Sequence, residues 1–181
     1  LDRSKKEMLG SPQTELRDIG SGRVSVLETL KVMKELVDKG VKDWKVRWTA
    51  VQLVKSLPQR DWWGEVNAIF TFLQASLRYT HDTFKLELLH TPQFMLDAII
   101  EDGVTLADCD DYSILGASLL RVLGYHVKFK VVSVYPSESF SHVYLMVQLN
   151  GDWIPFDAIH ADWKLGDEAP DVYREILMEV R

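Results

Sequence analysis

The stretch ADCDDYSILGASLL, residues 107–120, decides the fold, because it places the only cysteine of the chain, Cys109, where a helix begins. From Ile114 to Leu123 the residues are apolar nearly all round the helix, which is typical of a helix buried on most of its sides. Gly124 is a favourable residue for ending it. The stretch therefore predicts a central buried helix that carries a thiol in its first turn.

Strand patterns follow this helix in the segments VKFKVVSVY, HVYLMVQL and DWIPFDA. Asn150-Gly151 lies between the last two segments and is a strong signal for a two-residue hairpin turn. With that turn, Leu149 faces Asp152, and His142 and Asp157 point to the same side of the sheet as diagonal neighbours, roughly 7–8 Å apart. Pro155 favours an edge strand or a bulge, and a bulge would move this register by one residue.

Helical patterns precede the cysteine and give the chain its α+β class. Apolar residues at spacings of three and four predict one helix ending at Gly40, a second ending before Pro58, a third capped by Asp61 and a fourth from Thr91-Pro92 to Gly103. We expect N-terminal helices and a buried cysteine-bearing helix packed on an antiparallel sheet. The expected parts are a flexible leader (1–23), a helical extension (24–60), a core (61–160) and a C-terminal tail with a short helix (161–181).

Composition narrows the classes of partner and cofactor. The 181 residues carry a net charge of −6, which argues against nucleic acid and anionic membrane as partners. No apolar run approaches the roughly 20 residues of a membrane span, and no signal peptide is visible. A single cysteine cannot form an intrachain disulfide or a thiolate zinc cage, and no H-x-x-x-H spacing occurs. We expect no cofactor and no metal.

The order Cys109, His142, Asp157 is that of a thiol nucleophile, its base and the residue that orients the base. Each of the three also has a simpler interpretation. A lone cysteine before an apolar helix is commonly a buried hydrophobe, a histidine at a strand start is commonly a surface or core residue, and an aspartate after a strand can form a turn. Chain order, the helix start and the shared strand face favour the chemical interpretation.

Two opposing influences act on the thiol. A cysteine in the first turn of a helix is favoured as thiolate by the helix dipole and the free N–H groups. Nearby negative charge has the opposite effect. Four acidic residues surround the cysteine in the sequence: Asp102, Asp108, Asp110 and Asp111.

Four of the six tryptophans cluster in the helical part, at Trp44, Trp48, Trp62 and Trp63. Aromatic side chains dominate buried area, so we expect these four in the core. The alternative is an exposed surface for a partner.

These segments resemble the transglutaminase-like superfamily, a papain-like cysteine fold. ADCDDYSILGASLLRVLGYHVKFKVV, SHVYLMVQLNGDWIPFDA and the upstream LRYTHD carry the resemblance, which covers about residues 61–158. Within the superfamily, the chain resembles the transglutaminase-like proteins of tailed bacteriophages and prophages, where a helical stretch like TLKVMKELVDKGVKDWKVRWTAVQLVKSLP also precedes the domain. The resemblance implies that Cys109 is the nucleophile, His142 the general base and acid, and Asp157 the orienter of the imidazole.

The resemblance implies a cysteine protease, amidase or acyl transferase that acts on a peptide or carboxamide bond through a thioester. The substrate would be a protein or peptide, and the compartment the cytoplasm, or the virion if a phage encodes the chain. The alternative is a non-catalytic phage structural or assembly protein, which Ala107 favours because many relatives carry glycine there. An arylamine acetyltransferase uses the same three residue types, but its cysteine helix looks less like ADCDDYS.

Overall fold

The computed structural model describes residues 14–18, 23–80, 86–136 and 140–181. His81, most of the predicted leader and part of the PSESFS loop lie outside the described residues. Among the described helices, none is both long and apolar enough to cross a membrane. The elements in chain order are β1 (Thr14–Asp18), α1 (Arg23–Gly40), α2 (Trp44–Val54), α3 (Trp62–Ser76), β2 (Leu77–Tyr79), β3 (Leu86–His90), α4 (Pro92–Asp102), β4 (Thr105–Ala107), α5 (Cys109–Val122), β5 (Val127–Ser133), β6 (His142–Leu149), β7 (Asp152–Phe156) and β8 (Arg174–Val180).

Side-chain caps begin the helices where the sequence predicts them. The Asp61 carboxylate accepts a hydrogen bond from the backbone N–H of Gly64 at 3.0 Å and so starts α3. The Thr91 hydroxyl accepts from the N–H of Phe94 at 3.2 Å and starts α4. Each cap pairs a backbone donor that has no partner within the helix. Gly103 ends α4 in the left-handed region, with φ +81°, which a glycine adopts without strain.

Helix α5 is the centre of the molecule. Every residue from Asp110 to Leu120 is buried. The other four helices pack around α5, and β6 covers its remaining side. Gly116 sets the spacing, because a Cβ added there would lie 3.1 Å from Leu145 and Leu73 and 3.3 Å from Phe156. The expected buried cysteine-bearing helix on an antiparallel sheet is therefore confirmed.

The main sheet has the strand order β7-β6-β5-β8 and is antiparallel throughout. Asn150 (φ +52°) and Gly151 (φ +97°) both lie in the left-handed region, as a type I′ hairpin turn requires. Leu149 pairs with Asp152, as predicted, and the register continues without a bulge to the end of β7. Pro155 lies on β7, an edge strand, where its missing N–H removes no central hydrogen bond.

Two short ribbons lie beside the helices. Strands β2 and β4 pair in parallel and place Tyr79 next to Ala107, two residues before the cysteine. Strands β1 and β3 pair antiparallel, with Thr14 opposite His90. β1 lies in the segment where the sequence analysis expects a loose leader.

The C-terminal tail differs from its expected structure. Residues 174–180 form strand β8, paired with β5, where the sequence analysis expects a short helix. The pairing gives β5 its second neighbour and buries Ile176 and Val180 in the common core. A strand with a partner sheet and a buried face outweighs the local helix preference of Glu, Leu and Met.

The tryptophan prediction is wrong. Trp44 and Trp48 are 67% and 57% exposed, and Trp62 and Trp63 are 48% and 51% exposed. Trp44 and Trp48 share the outer face of α2, whereas Val46, on its inner face, is fully buried. α1 and α2 nevertheless contribute buried residues to the same core as the sheet. The boundary between extension and core, expected near residue 60, stays a prediction.

Strand β8 is expected to stabilise the whole domain through its inward face. Ile176→Ala should lower the free energy of unfolding by about 2 kcal/mol or more, because Ile176 is 9% exposed and belongs to the core. Leu177 is the next residue along the strand and is 51% exposed, so Leu177→Ala should change the free energy of unfolding by no more than about 0.5 kcal/mol. Urea unfolding measures both, and equal effects would contradict a buried β8.

Candidate active site

Cys109 is the first residue of α5 and is partly exposed. Strand β4 leads into it, and the preceding residue, Asp108, caps the helix. The Asp108 carboxylate accepts a hydrogen bond from the backbone N–H of Asp111 at 3.0 Å. This cap fixes the first turn, and the burial of the rest of α5 fixes its axis. The sulfur therefore has a defined position at a helix N-terminus.

His142 and Asp157 meet as the hairpin register predicts. The His142 Nε2 lies 2.7 Å from the Asp157 Oδ2. Asp157 is 1% exposed, so its carboxylate is held away from water. Its Oδ1 also accepts a long hydrogen bond of 3.4 Å from the N–H of Ile159. With Nε2–H donating to Asp157, the Nδ1 atom of His142 is the ring nitrogen left for proton exchange.

Tyr144 packs against the face of the His142 ring, and Glu168 and Lys130 hold Tyr144 in place. Tyr144, two residues along β6, stacks on His142 with centroids 5.6 Å apart and planes at 27°. The Tyr144 hydroxyl donates to the Glu168 carboxylate at 2.6 Å, and the Lys130 ammonium lies 3.0 Å from the same carboxylate. Burial and the hydrogen bond to Glu168 raise the pKa of Tyr144. Burial alone would raise the pKa of Glu168, but hydrogen bonds from Tyr144 and Lys130 hold it below its ordinary value.

One cavity of about 270 Å³ lies at the start of α5 and β6. Cys109 and His142 both line it, and Asp157 lies behind His142 through their hydrogen bond. The three residues predicted from the sequence therefore converge on one site. Tyr79 also lines this cavity, although no role was predicted for it from the sequence.

Tyr79 reaches the cavity from the end of β2. Burial raises the pKa of Tyr79 to about 12, and electrostatic interactions with Cys109, Asp108 and Asp110 act in the same direction. The Tyr79 hydroxyl is therefore protonated at neutral pH and can act as a hydrogen-bond donor.

Residues 49–158 match the family described as the transglutaminase-like superfamily. The chain belongs to this superfamily. Its papain-like fold is the one predicted, with Cys109 at the start of α5. A crystal structure of a suspected cysteine protease from Cytophaga hutchinsonii is similar, with 18% identity and a TM-score of 0.47. The match covers 75% of this chain and 40% of that one. No curated protein matches the chain.

The acidic residues around the sulfur have different hydrogen-bond partners in the structure. Asp111 is 1% exposed and uses both carboxylate oxygens on His90: one accepts from the backbone N–H at 2.9 Å, and the other lies 2.7 Å from Nδ1. Asp108 caps the helix. These two carboxylates therefore hold α5 in place. The His90–Asp111 pair was not predicted, because no local sequence pattern joins the two positions.

Asp110 is the acid that opposes a thiolate. The Cys109 thiol donates to the Asp110 Oδ1 at 3.9 Å, and both residues line the cavity. A carboxylate beside the sulfur stabilises the protonated thiol and repels the thiolate. His142 and the helix N-terminus act in the opposite sense.

Asp110→Asn is expected to speed the alkylation of Cys109 by iodoacetamide at neutral pH. The substitution removes the charge and keeps the shape, and the thiolate fraction rises about tenfold for each unit by which the apparent pKa of the thiol falls. Asp102→Asn is the control, since Asp102 is exposed at the end of α4. An Asp110→Asn rate equal to that of the wild type would show that this carboxylate does not restrain the thiol.

Proposed function

We propose that the protein is a cysteine-dependent hydrolase or acyl transferase that acts on a peptide or carboxamide carbonyl of a protein or peptide substrate. One observation carries the proposal: Cys109 and His142 line one cavity, and Asp157 engages His142 through Nε2, which leaves Nδ1 for the thiol. Superfamily membership supports the same class of chemistry.

The proposed first step forms a thioester. His142 Nδ1 takes the proton of the Cys109 thiol, and the sulfur attacks the carbonyl carbon. The oxyanion of the tetrahedral intermediate is stabilised by the positive end of the α5 dipole, and the protonated Tyr79 hydroxyl is a hydrogen-bond donor in the cavity. The C–N bond then breaks, and the imidazolium returns its proton to the leaving amine.

The second step releases the acyl group. Water or a second amine loses a proton to His142 and attacks the thioester carbon, and the sulfur leaves and regains its proton from His142. Attack by water gives a carboxylic acid, and attack by an amine gives a new amide. In both steps the buried Asp157 keeps the imidazole in the tautomer and orientation that the transfers need.

A second candidate is a non-catalytic structural or assembly protein, including one of a phage virion. Two observations favour it: Asp110 lies beside the sulfur, and four tryptophans are exposed in the helical part. On this alternative, Cys109→Ala would leave assembly unchanged, and Trp62 or Trp63 substitutions would impair it. The compartment, cytoplasm or virion, stays a prediction.

Acetylation by p-nitrophenyl acetate tests the proposed function without a known substrate. The wild type should release nitrophenol and carry one acetyl group that hydroxylamine removes, as a thioester requires. Intact mass counts the acetyl groups, and because the chain has one cysteine, loss of the hydroxylamine-labile group in Cys109→Ala assigns it to Cys109. Adding methylamine to the acetylated protein separates the two classes, since a transferase gives N-methylacetamide and a hydrolase gives acetate.

The matched variants are Cys109→Ala and His142→Ala. The first should show no hydroxylamine-labile acetyl group, and the second should acetylate at least about a hundredfold more slowly, the usual contribution of a general base. Far-UV circular dichroism checks that both variants fold. A wild type that acetylates no faster than His142→Ala would refute the proposal.

A further inference from the structure

The cavity beside Cys109 has an apolar wall that the proposed chemistry does not use. Val26, Leu30 and Met33 of α1 line it. Their spacing of four and three residues places them on one face of the helix. Leu30 and Met33 are buried, and Val26 is partly buried.

Thr29 is the polar residue that α1 adds to this lining, and its hydroxyl makes a hydrogen bond within the helix. The Thr29 hydroxyl donates to the backbone carbonyl of Ser25 at 3.2 Å. Because this donor is already engaged, α1 presents an apolar surface to the cavity. Strands β5 and β6 add Val131 and Val143 to the same lining.

The size of the cavity limits what enters it. At about 30 Å³ per water molecule, a volume of about 270 Å³ equals roughly nine waters. This is enough for one large aliphatic or aromatic side chain with its neighbouring peptide unit, and far too little for a folded surface. Asp108 and Asp110 share the lining and disfavour an anionic side chain.

We propose that α1 forms a specificity subsite for a large apolar side chain next to the carbonyl that Cys109 attacks. The substrates are then flexible or terminal peptide segments with a leucine-, methionine- or phenylalanine-like residue at this position. Residues 49–158 match the superfamily, so α1, which ends at Gly40, lies outside the matched residues. The inference rests on the proposed function, because it assigns the cavity to substrate.

Two isosteric probes test the subsite. N-butyl iodoacetamide and N-(2-methoxyethyl) iodoacetamide have the same length and warhead, and differ by one methylene against one ether oxygen. The alkylation rate of Cys109 with each probe is divided by its rate with free N-acetylcysteine. The butyl probe should be preferred by about tenfold or more, the usual discrimination of an apolar pocket.

Substitutions at Val26 test whether α1 causes the preference for the butyl probe. Val26→Ser is expected to remove most of it, and Val26→Trp, which fills the cavity, to slow the butyl probe more than iodoacetamide. Val51→Ser is the matched control on α2, where the side chain is 49% exposed, and should keep the wild-type preference. Because Val26 is only partly buried, its variants are expected to fold, which urea unfolding checks.

The outcomes separate the two proposals. Equal normalised rates for the two probes, with iodoacetamide labelling that still depends on His142, would overturn the subsite and leave the proposed function standing. Labelling that does not depend on His142 would refute the proposed function. A butyl preference that survives both Val26 substitutions would also overturn the assignment of the wall to α1.

Discussion

The burial of α5 on all its sides is the constraint on which the rest of the structure depends. Four helices and a sheet enclose the helix, and every residue from Asp110 to Leu120 is buried. A helix held in this way can neither slide nor rotate without opening the core, because interiors are close-packed. Its first residue, Cys109, is therefore held as firmly as a core residue while remaining partly exposed. The packing of α5 therefore fixes the position of Cys109 at the helix N-terminus, independently of His142 and Asp157.

The same packing creates an electrostatic conflict at the start of α5. Buried carboxylates are costly unless hydrogen bonds or charges compensate them. The His90 pair compensates Asp111, and the helix N-terminus compensates Asp108. The Asp110 Oδ1 lies 3.9 Å from the sulfur. In the proposed mechanism, the reactivity of Cys109 is a balance in which His142 and the helix dipole favour the thiolate and Asp110 favours the thiol.

Much of the site follows from the sequence, because local chemistry determines it. The Asn150-Gly151 turn fixes the hairpin register, and the register places His142 and Asp157 on one face. Asp61 and Thr91 cap helices for equally local reasons. Features that depend on residues distant in the sequence were predicted wrongly or were not predicted. In strand β8, Ile176 is buried and its two neighbours are exposed. Taken alone, the segment favours a helix, and its strand structure depends on the pairing with β5. The exposure of the tryptophans depends on which helix faces the core, and the α1 wall of the cavity depends on the packing of α1 against the sheet.

The central claim is that Cys109 and His142 act as one unit. It is tested most directly by the rate of Cys109 alkylation with iodoacetamide as a function of pH, in the wild type and in His142→Ala. The account predicts a wild-type profile whose rate rises at a pH well below that of an ordinary thiol, and a midpoint that moves to higher pH when the imidazole is lost. A profile that is the same in both proteins, with the midpoint of an ordinary thiol, would contradict it and identify Cys109 as a structural residue.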